Sequence, residues 1–166
     1  MTKILITEFI DSQSLQNINK KFDVIYKKDA WQNKDFLERE IQKFDGIIVR
    51  NKTSLDKKIL INASNLKFIG RLGVGLDNID TEYCKKNNII VQPATGMNSD
   101  SVAEYVVNSS LTLLKKTHII KEQTLQGKWP RTSIVTKELK GKTFGLIGFG
   151  DISKKVLNLS LIHISE

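Results

Sequence analysis

The chain has 166 residues, of which 40% are apolar and 27% charged, with a formal net charge of +8. That is enough for one packed domain and part of another, and no stretch approaches the roughly 20 continuous apolar residues that a spanning helix needs, so no membrane partner is expected. The charge does not point to nucleic acid either, because the 22 lysines are scattered as singles and pairs and form no stripe that would track a phosphate backbone. The opening MTKILITEFID brings charge too close to a short apolar run for a signal peptide. The lone Cys84 has no partner for an internal disulfide or a metal site, and a reduced thiol on a helix in a cytoplasmic protein is expected.

In chain order, short β-branched runs alternate with polar, helix-competent stretches. Residues 3–8 (KILITE), 22–27 (FDVIYK), 45–50 (DGIIVR), 66–72 (LKFIGRL) and 88–92 (NIIVQ) predict five strands. Helices are expected over 12–20, 34–43, 54–62 and 81–86. The alternation implies right-handed βαβ units, hence an α/β fold with a flavodoxin-like doubly wound parallel sheet.

The texture changes after Pro93. From Asn98 to Gln126 there is no Gly or Pro, and Ser101 and Glu104 have the spacing of a capping box, which predicts one long connecting helix. Gly127-Lys128-Trp129-Pro130 breaks it, and residues 143–147 (TFGLI) predict a fresh strand leading into Gly148-Phe149-Gly150 and a helix over 151–158. There is no internal repeat.

Three motifs carry chemistry, each with a plain structural alternative. Gly148 and Gly150, between strand and helix, suit the turn that lets a backbone approach a pyrophosphate, with the helix N-terminus supplying amides. Asp151 puts a carboxylate near that charge, and Ser153 stands where the fingerprint has its third glycine; an ordinary turn would also use these glycines. Gly73-Val74-Gly75 follows the fourth strand, and the bare N–H groups of such a turn can hold a carboxylate, although a strand-to-helix turn needs glycine anyway. Arg50 stands at the end of the third strand, the ligand side of an open α/β sheet, where a solvated Arg is the alternative.

Taken together, DGIIVRNKT, IGRLGVGLDNID, VQPATGMNSDSVAEYVVNSSLTLLK, GKWPR and LKGKTFGLIGFGDI resemble, in order and spacing, the D-isomer-specific 2-hydroxyacid dehydrogenase family, particularly its phosphoglycerate dehydrogenase-like members. The resemblance covers roughly residues 45–156. It implies a substrate domain over 1–96, a connecting helix over 97–126 and the truncated start of a Rossmann NAD(P)-binding domain over 127–158. It implies an oxidoreductase acting on the CH–OH group of a D-2-hydroxyacid, with NAD as cofactor or NADP in its place, and a homodimer when full length. By position, Arg50, Asn51 and the backbone of Gly73, Val74 and Gly75 would bind the small 2-hydroxy or 2-oxo acid. Val74, Val102, Gly148, Gly150, Asp151 and Ile152 would face the cofactor. Family members often have Arg or Asn where this chain has Asp151.

The Arg, Glu and His that the family uses for proton transfer lie downstream of the glycine turn, so this chain is expected to contain no catalytic residue and to be inactive alone. His118 and His163 are read as structural. The acidic ribose ligand should lie about 20 residues past the fingerprint, beyond Glu166. Residues 159–166 (LSLIHISE) depart from the family and match the in-frame translation of a transposase mosaic-end adapter, so a non-native tail is expected there. The same fold also serves non-catalytic proteins, which leaves an NAD(H)-sensing co-regulator or a dimerisation module as alternatives.

Overall fold

The computed structural model describes residues 1–161. It divides into two compact units, Met1–Thr95 and Gly96–Glu166. In the first, β1 (Lys3–Ile6), β2 (Asp23–Tyr26), β3 (Gly46–Val49), β4 (Phe68–Arg71) and β5 (Ile90–Pro93) form one parallel sheet in the order β2-β1-β3-β4-β5. This is the flavodoxin-like order that the alternating sequence implied.

Period-two alternation divides the strand side chains between two faces. Leu5, Ile47, Ile69 and Val91 stand opposite one another across four strands. The first three are fully buried, in a core completed by Leu37, Ile41, Ile59, Leu60 and Cys84. Those residues come from α2 (Lys34–Glu40) with the short 3-10 turn that follows it, from α3 (Lys57–Leu60) and from α4 (Thr81–Lys86). On the opposite face Ile4, Ile6 and Ile48 meet Leu15 and Ile18 of α1 (Ser12–Asn19). Each fully buried aliphatic side chain contributes about 1.5–3 kcal/mol of transfer free energy, so both faces are covered by the sheet's own crossovers.

All four helices of this unit begin in the same way. Asp11, Asn33, Asp56 and Asp80 each accept, through the side chain, the N–H three residues on, which satisfies one donor that the first helical turn leaves open. Asp56 as a cap makes α3 shorter than the expected 54–62, because Leu55 is drawn into a parallel bridge with Ile79. The first four strands also stop one or two residues early, leaving Glu8, Arg50 and Leu72 in the loops beyond the carboxyl ends of β1, β3 and β4, whereas β5 starts two residues late and runs on to Pro93.

The second unit corrects three expectations. Residues 98–126 are not one helix but two, α5 (Ser99–Lys115) and α6 (Thr117–Leu125), separated by Lys116 at φ 51° and ψ 36°. The Leu114 carbonyl accepts the N–H of Lys137 at 2.9 Å, and a carbonyl engaged by a distant segment is withdrawn from the helical i to i+4 ladder. The expected capping box is absent as well. Asn98 is the cap residue, without a side-chain cap bond, so Ser101 lies inside the helix.

Residues 143–147 form no strand, and Ile147 is fully exposed; among the described residues this unit has no second strand to satisfy its backbone. The helix after the glycine turn, α7 (Asp151–Leu161), does form and packs on α5, with Ala103 and Val156 buried. The expected non-native tail over 159–166 falls largely outside the described residues, and His163 does so entirely. None of the described helices is long and apolar enough to cross a membrane.

Candidate functional site

The chain runs from β1 outward to β2 and then returns to the other side of β1 for β3. Such a reversal leaves a gap between diverging loops at the carboxyl ends of the strands, and here the gap is a cleft of about 340 Å³. Its walls come from three loops: Glu8 and Phe9 after β1; Lys28, Asp29 and Trp31 after β2; and Arg50, Asn51 and Lys52 after β3.

Glu8 fixes the course of the third loop. Its Oε1 accepts the N–H groups of Arg50 at 2.8 Å and Thr53 at 2.9 Å, and its Oε2 accepts that of Lys52 at 3.0 Å. The residue is only 4% exposed. Burial alone would raise its pKa, but the N–H groups of Thr53, Arg50 and Lys52, with the Thr53 hydroxyl, outweigh it and hold the carboxyl below the ordinary glutamate value. Beneath it, the hydroxyls of Thr7 and Thr53, both fully buried, are 2.7 Å apart. From the other side Asn78 Nδ2 donates to the carbonyls of Arg50 at 2.9 Å and Thr53 at 2.6 Å. The loop is thus held through its backbone, while the side chains of Arg50, Asn51 and Lys52 are exposed.

These side chains are set for anions. Lys52 Nζ lies 4.5 Å from the centre of the Trp31 ring, a cation–π contact that steadies the ammonium without neutralising it. Among the described residues the Arg50 guanidinium donates one bond, Nη1 to the Phe9 carbonyl at 3.4 Å, and the residue is exposed. Arg50 also lines a second cleft together with Leu72, so its side chain borders both spaces.

The glycine loop follows β4 on the same edge. Leu72 N–H donates to the Val49 carbonyl at 2.8 Å, which holds the start of this loop beside Arg50. Gly73 N–H closes back on the Arg71 carbonyl at 2.8 Å, and the Gly73 carbonyl accepts from Ala94. At φ 154° Gly73 takes a backbone that side chains rarely adopt, and a Cβ there would overlap the Arg71 guanidinium. Among the described residues the N–H groups of Val74 and Gly75 carry no hydrogen bond, and both residues are exposed. Arg71 Nε is buried without a partner among the described residues, as is Asn78 Oδ1.

The second unit holds the remaining expected residues. Gly148, at φ 87°, and Gly150 form an open turn where a Cβ would meet nothing within 4 Å, and Ser153 Oγ closes the turn by donating to the Gly148 carbonyl at 2.8 Å. Asp151 opens α7, and Ile152 is 39% exposed. Lys155 Nζ lies 3.8 Å from Asp151 Oδ2 and 2.9 Å from Asp100 Oδ2; its hydrogen bond to Asp100 leads the interactions that raise the ammonium pKa. Val102 is half-buried on α5, and His118 is exposed on α6. Cys84 is 1% exposed, and burial, reinforced by the charge of Asp80, pushes its thiol up to about 11. Among the described residues no cluster of His, Cys, Asp and Glu could hold a metal ion.

Sequence reasoning singled out Arg50, Asn51 and the glycine loop but missed Glu8, Asn78 and Arg71. The last two lie inside the quoted IGRLGVGLDNID run, where a polar residue beside a tight turn is itself a signal. Glu8, an acid at the end of an apolar strand, offered only its position.

The family model for D-isomer specific 2-hydroxyacid dehydrogenase, catalytic domain, matches residues 4–145. The (S)-sulfolactate dehydrogenase of Chromohalobacter salexigens is 36% identical over 154 residues, covering 93% of this chain and 50% of its own. The D-3-phosphoglycerate dehydrogenase of Archaeoglobus fulgidus is 34% identical, covering 93% of this chain and 29% of its own. A crystal structure of a Thermus thermophilus protein superposes with a TM-score of 0.86 at 21% identity, over 97% of this chain and 53% of that one. The chain thus spans half or less of the length of these curated relatives.

Proposed function

Because the chain belongs to the D-isomer specific 2-hydroxyacid dehydrogenase family, we propose that it supplies the substrate-carboxylate site and the pyrophosphate turn of an NAD(P)-dependent oxidoreductase interconverting a D-2-hydroxyacid and its 2-oxoacid. One observation carries this reading: the two unengaged N–H groups of Val74 and Gly75 lie on the same sheet edge as Arg50. Paired backbone donors and a guanidinium at the same carboxyl end of the sheet supply the kinds of donor that a carboxylate accepts. Glu8 strengthens the case by occupying the competing donors of residues 50, 52 and 53, so the loop cannot collapse onto them.

The glycine turn fits a dinucleotide on its own evidence. Gly148 and Gly150 leave open space in front of the N-terminus of an 11-residue helix, where amides and helix dipole favour phosphate. Lys155 offsets the charge of Asp151 beside that turn. Hydride exchange with the substrate's C2 is the chemistry a nicotinamide supplies when bound. Val74 and Gly75 hold the acid, Arg50 orients it, and the turn of residues 148–150 anchors the phosphates. The proton donor is outside these residues, so the chain alone is inactive in this reading. The exposed Tyr105, Leu113 and Leu125 support a second copy as partner of the complete protein.

The test is a titration of the 15N-labelled chain with D-lactate or pyruvate. Amide shifts confined to Val74, Gly75 and the Arg50 loop are expected, with no NADH or NADPH oxidation. Shifts elsewhere only, or none, would refute the carboxylate site.

A further inference from the structure

We infer that Lys155 is a positioning residue for the pyrophosphate turn: anchored on α5, it draws the Asp151 carboxylate away from Gly148, so that an acid at the head of α7 does not repel phosphate. The inference rests on the dinucleotide reading of that turn and adds the device by which the turn tolerates Asp151.

The difficulty it resolves is electrostatic. Asp151 is the first residue of α7 and is exposed. A pyrophosphate seated on the N–H groups at that helix end brings negative charge to the same place, and a carboxylate facing it would cancel part of what the amides and the dipole supply. The side chain is turned elsewhere. Its Oδ2 lies 3.8 Å from Lys155 Nζ, one helical turn further along α7. The same oxygen lies 3.9 Å from where a Cβ on Gly96 would stand, whereas a Cβ on Gly148 would meet nothing within 4 Å. The carboxylate thus borders the residues that lead into α5 and leaves the space in front of Gly148 clear.

Lys155 is fixed from the other side. Its Nζ donates to Asp100 Oδ2 at 2.9 Å and to Ser99 Oγ at 3.1 Å, both in the first turn of α5. Ser99 is 2% exposed, and its hydroxyl donates to the Gly96 carbonyl at 2.6 Å, so the ammonium rests against a buried, engaged group. Its shorter contacts run to α5, which sets its place, and the Asp151 side chain, 60% exposed against 29% for Lys155, is the partner that adjusts. Each acid also stands in the first turn of its own helix, where the dipole favours a negative charge, and the lysine joins the two.

The experiment titrates the full 15N-labelled chain at low salt with inorganic pyrophosphate and with ADP, in the unsubstituted form, in Lys155→Met, in Asp151→Asn and in the double variant. Lys155→Met should weaken binding about fivefold, because the released carboxylate faces the phosphates. In the Asp151→Asn background the same change should cost less than about twofold, and Asp151→Asn alone should bind at least as tightly as the unsubstituted chain. Lys155→Arg, which keeps the ion pairs, should retain full affinity. An equal loss in both backgrounds would mean that Lys155 meets the phosphates itself, and undiminished affinity in Lys155→Met that Asp151 needs no restraint; either overturns the inference and leaves the pyrophosphate turn standing. If Lys155→Met loses helical signal by circular dichroism, Lys155→Gln takes its place in the cycle, and loss of helix in both would assign the lysine to α5–α7 packing instead. Absence of amide shifts over residues 148–152 with either probe would remove the dinucleotide reading and this inference with it.

Discussion

The Glu8 carboxylate accepts the N–H of Thr53 at 2.9 Å across 45 residues of chain, joining the end of β1 to the loop after β3. With Arg50 and Lys52 on the same carboxylate, three buried or half-buried donors depend on one acid. Glu8→Ala should therefore destabilise the first unit by about 2–4 kcal/mol, the cost of stranding charge-assisted bonds. Urea unfolding would measure it; a loss below about 0.5 kcal/mol, the level of an ordinary surface change, would mean that water replaces the carboxylate without penalty.

The same contact sets a pH dependence. The folded pKa of Glu8 lies below its unfolded value, so its contribution is full above the ordinary glutamate pKa and disappears as pH falls through the depressed one. The stability gap between the wild-type chain and Glu8→Gln should accordingly narrow in acid. A gap that widened there would reverse the assigned direction.

Gly73 and Arg71 compete for one space, since a Cβ at Gly73 would overlap the guanidinium. Gly73→Ala should cost about 1–3 kcal/mol through strain and displacement and weaken acid binding at Val74 and Gly75. Arg71→Ala in the same chain should restore part of that stability. Strict additivity in the double-mutant cycle would show that the guanidinium does not fill the space.

Legibility in the sequence followed the range of the interactions. The order β2-β1-β3-β4-β5 was readable because runs such as DGIIVR and NIIVQ encode strands by local patterning and the crossover rule does the rest. The break at Lys116 was not, because it goes with a hydrogen bond from the N–H of Lys137 to the Leu114 carbonyl, a long-range partner with no local mark. For the same reason residues 143–147 looked like a strand: apolar alternation states a preference, and pairing needs a neighbour. In the site, Gly73 and Arg50 were visible as residue types with few uses. Glu8 acts through a contact 45 residues away, which no window of sequence displays.

Lys116 occupies the left-handed region at φ 51°, where glycine has no Cβ penalty. Lys116→Gly should stabilise the second unit or leave it unchanged, by up to about 1 kcal/mol, whereas Lys115→Gly, one residue back inside α5, should destabilise it by a similar amount. Thermal unfolding followed by circular dichroism separates the two; equal losses would indicate a continuous helix through 116.

Cys84 is buried with its thiol raised to about 11, so almost no thiolate forms at neutral pH. Labelling with a thiol reagent at pH 8 should be very slow in the native chain and rapid in urea. Fast native labelling would show that α4 opens readily.

The way the 50–53 loop is tethered bears on how this fold can change its chemistry over evolutionary time. Glu8 grips N–H groups and Asn78 grips carbonyls, and every amino acid but proline offers both. The path of the loop is thereby decoupled from the identity of the side chains at 50, 51 and 52, all of which are exposed. Replacements there need not be compensated in the core. A lineage can sample new ligand preferences at these positions by single steps, each close to neutral for folding, while Leu5, Ile47 and Ile69 stay as they are.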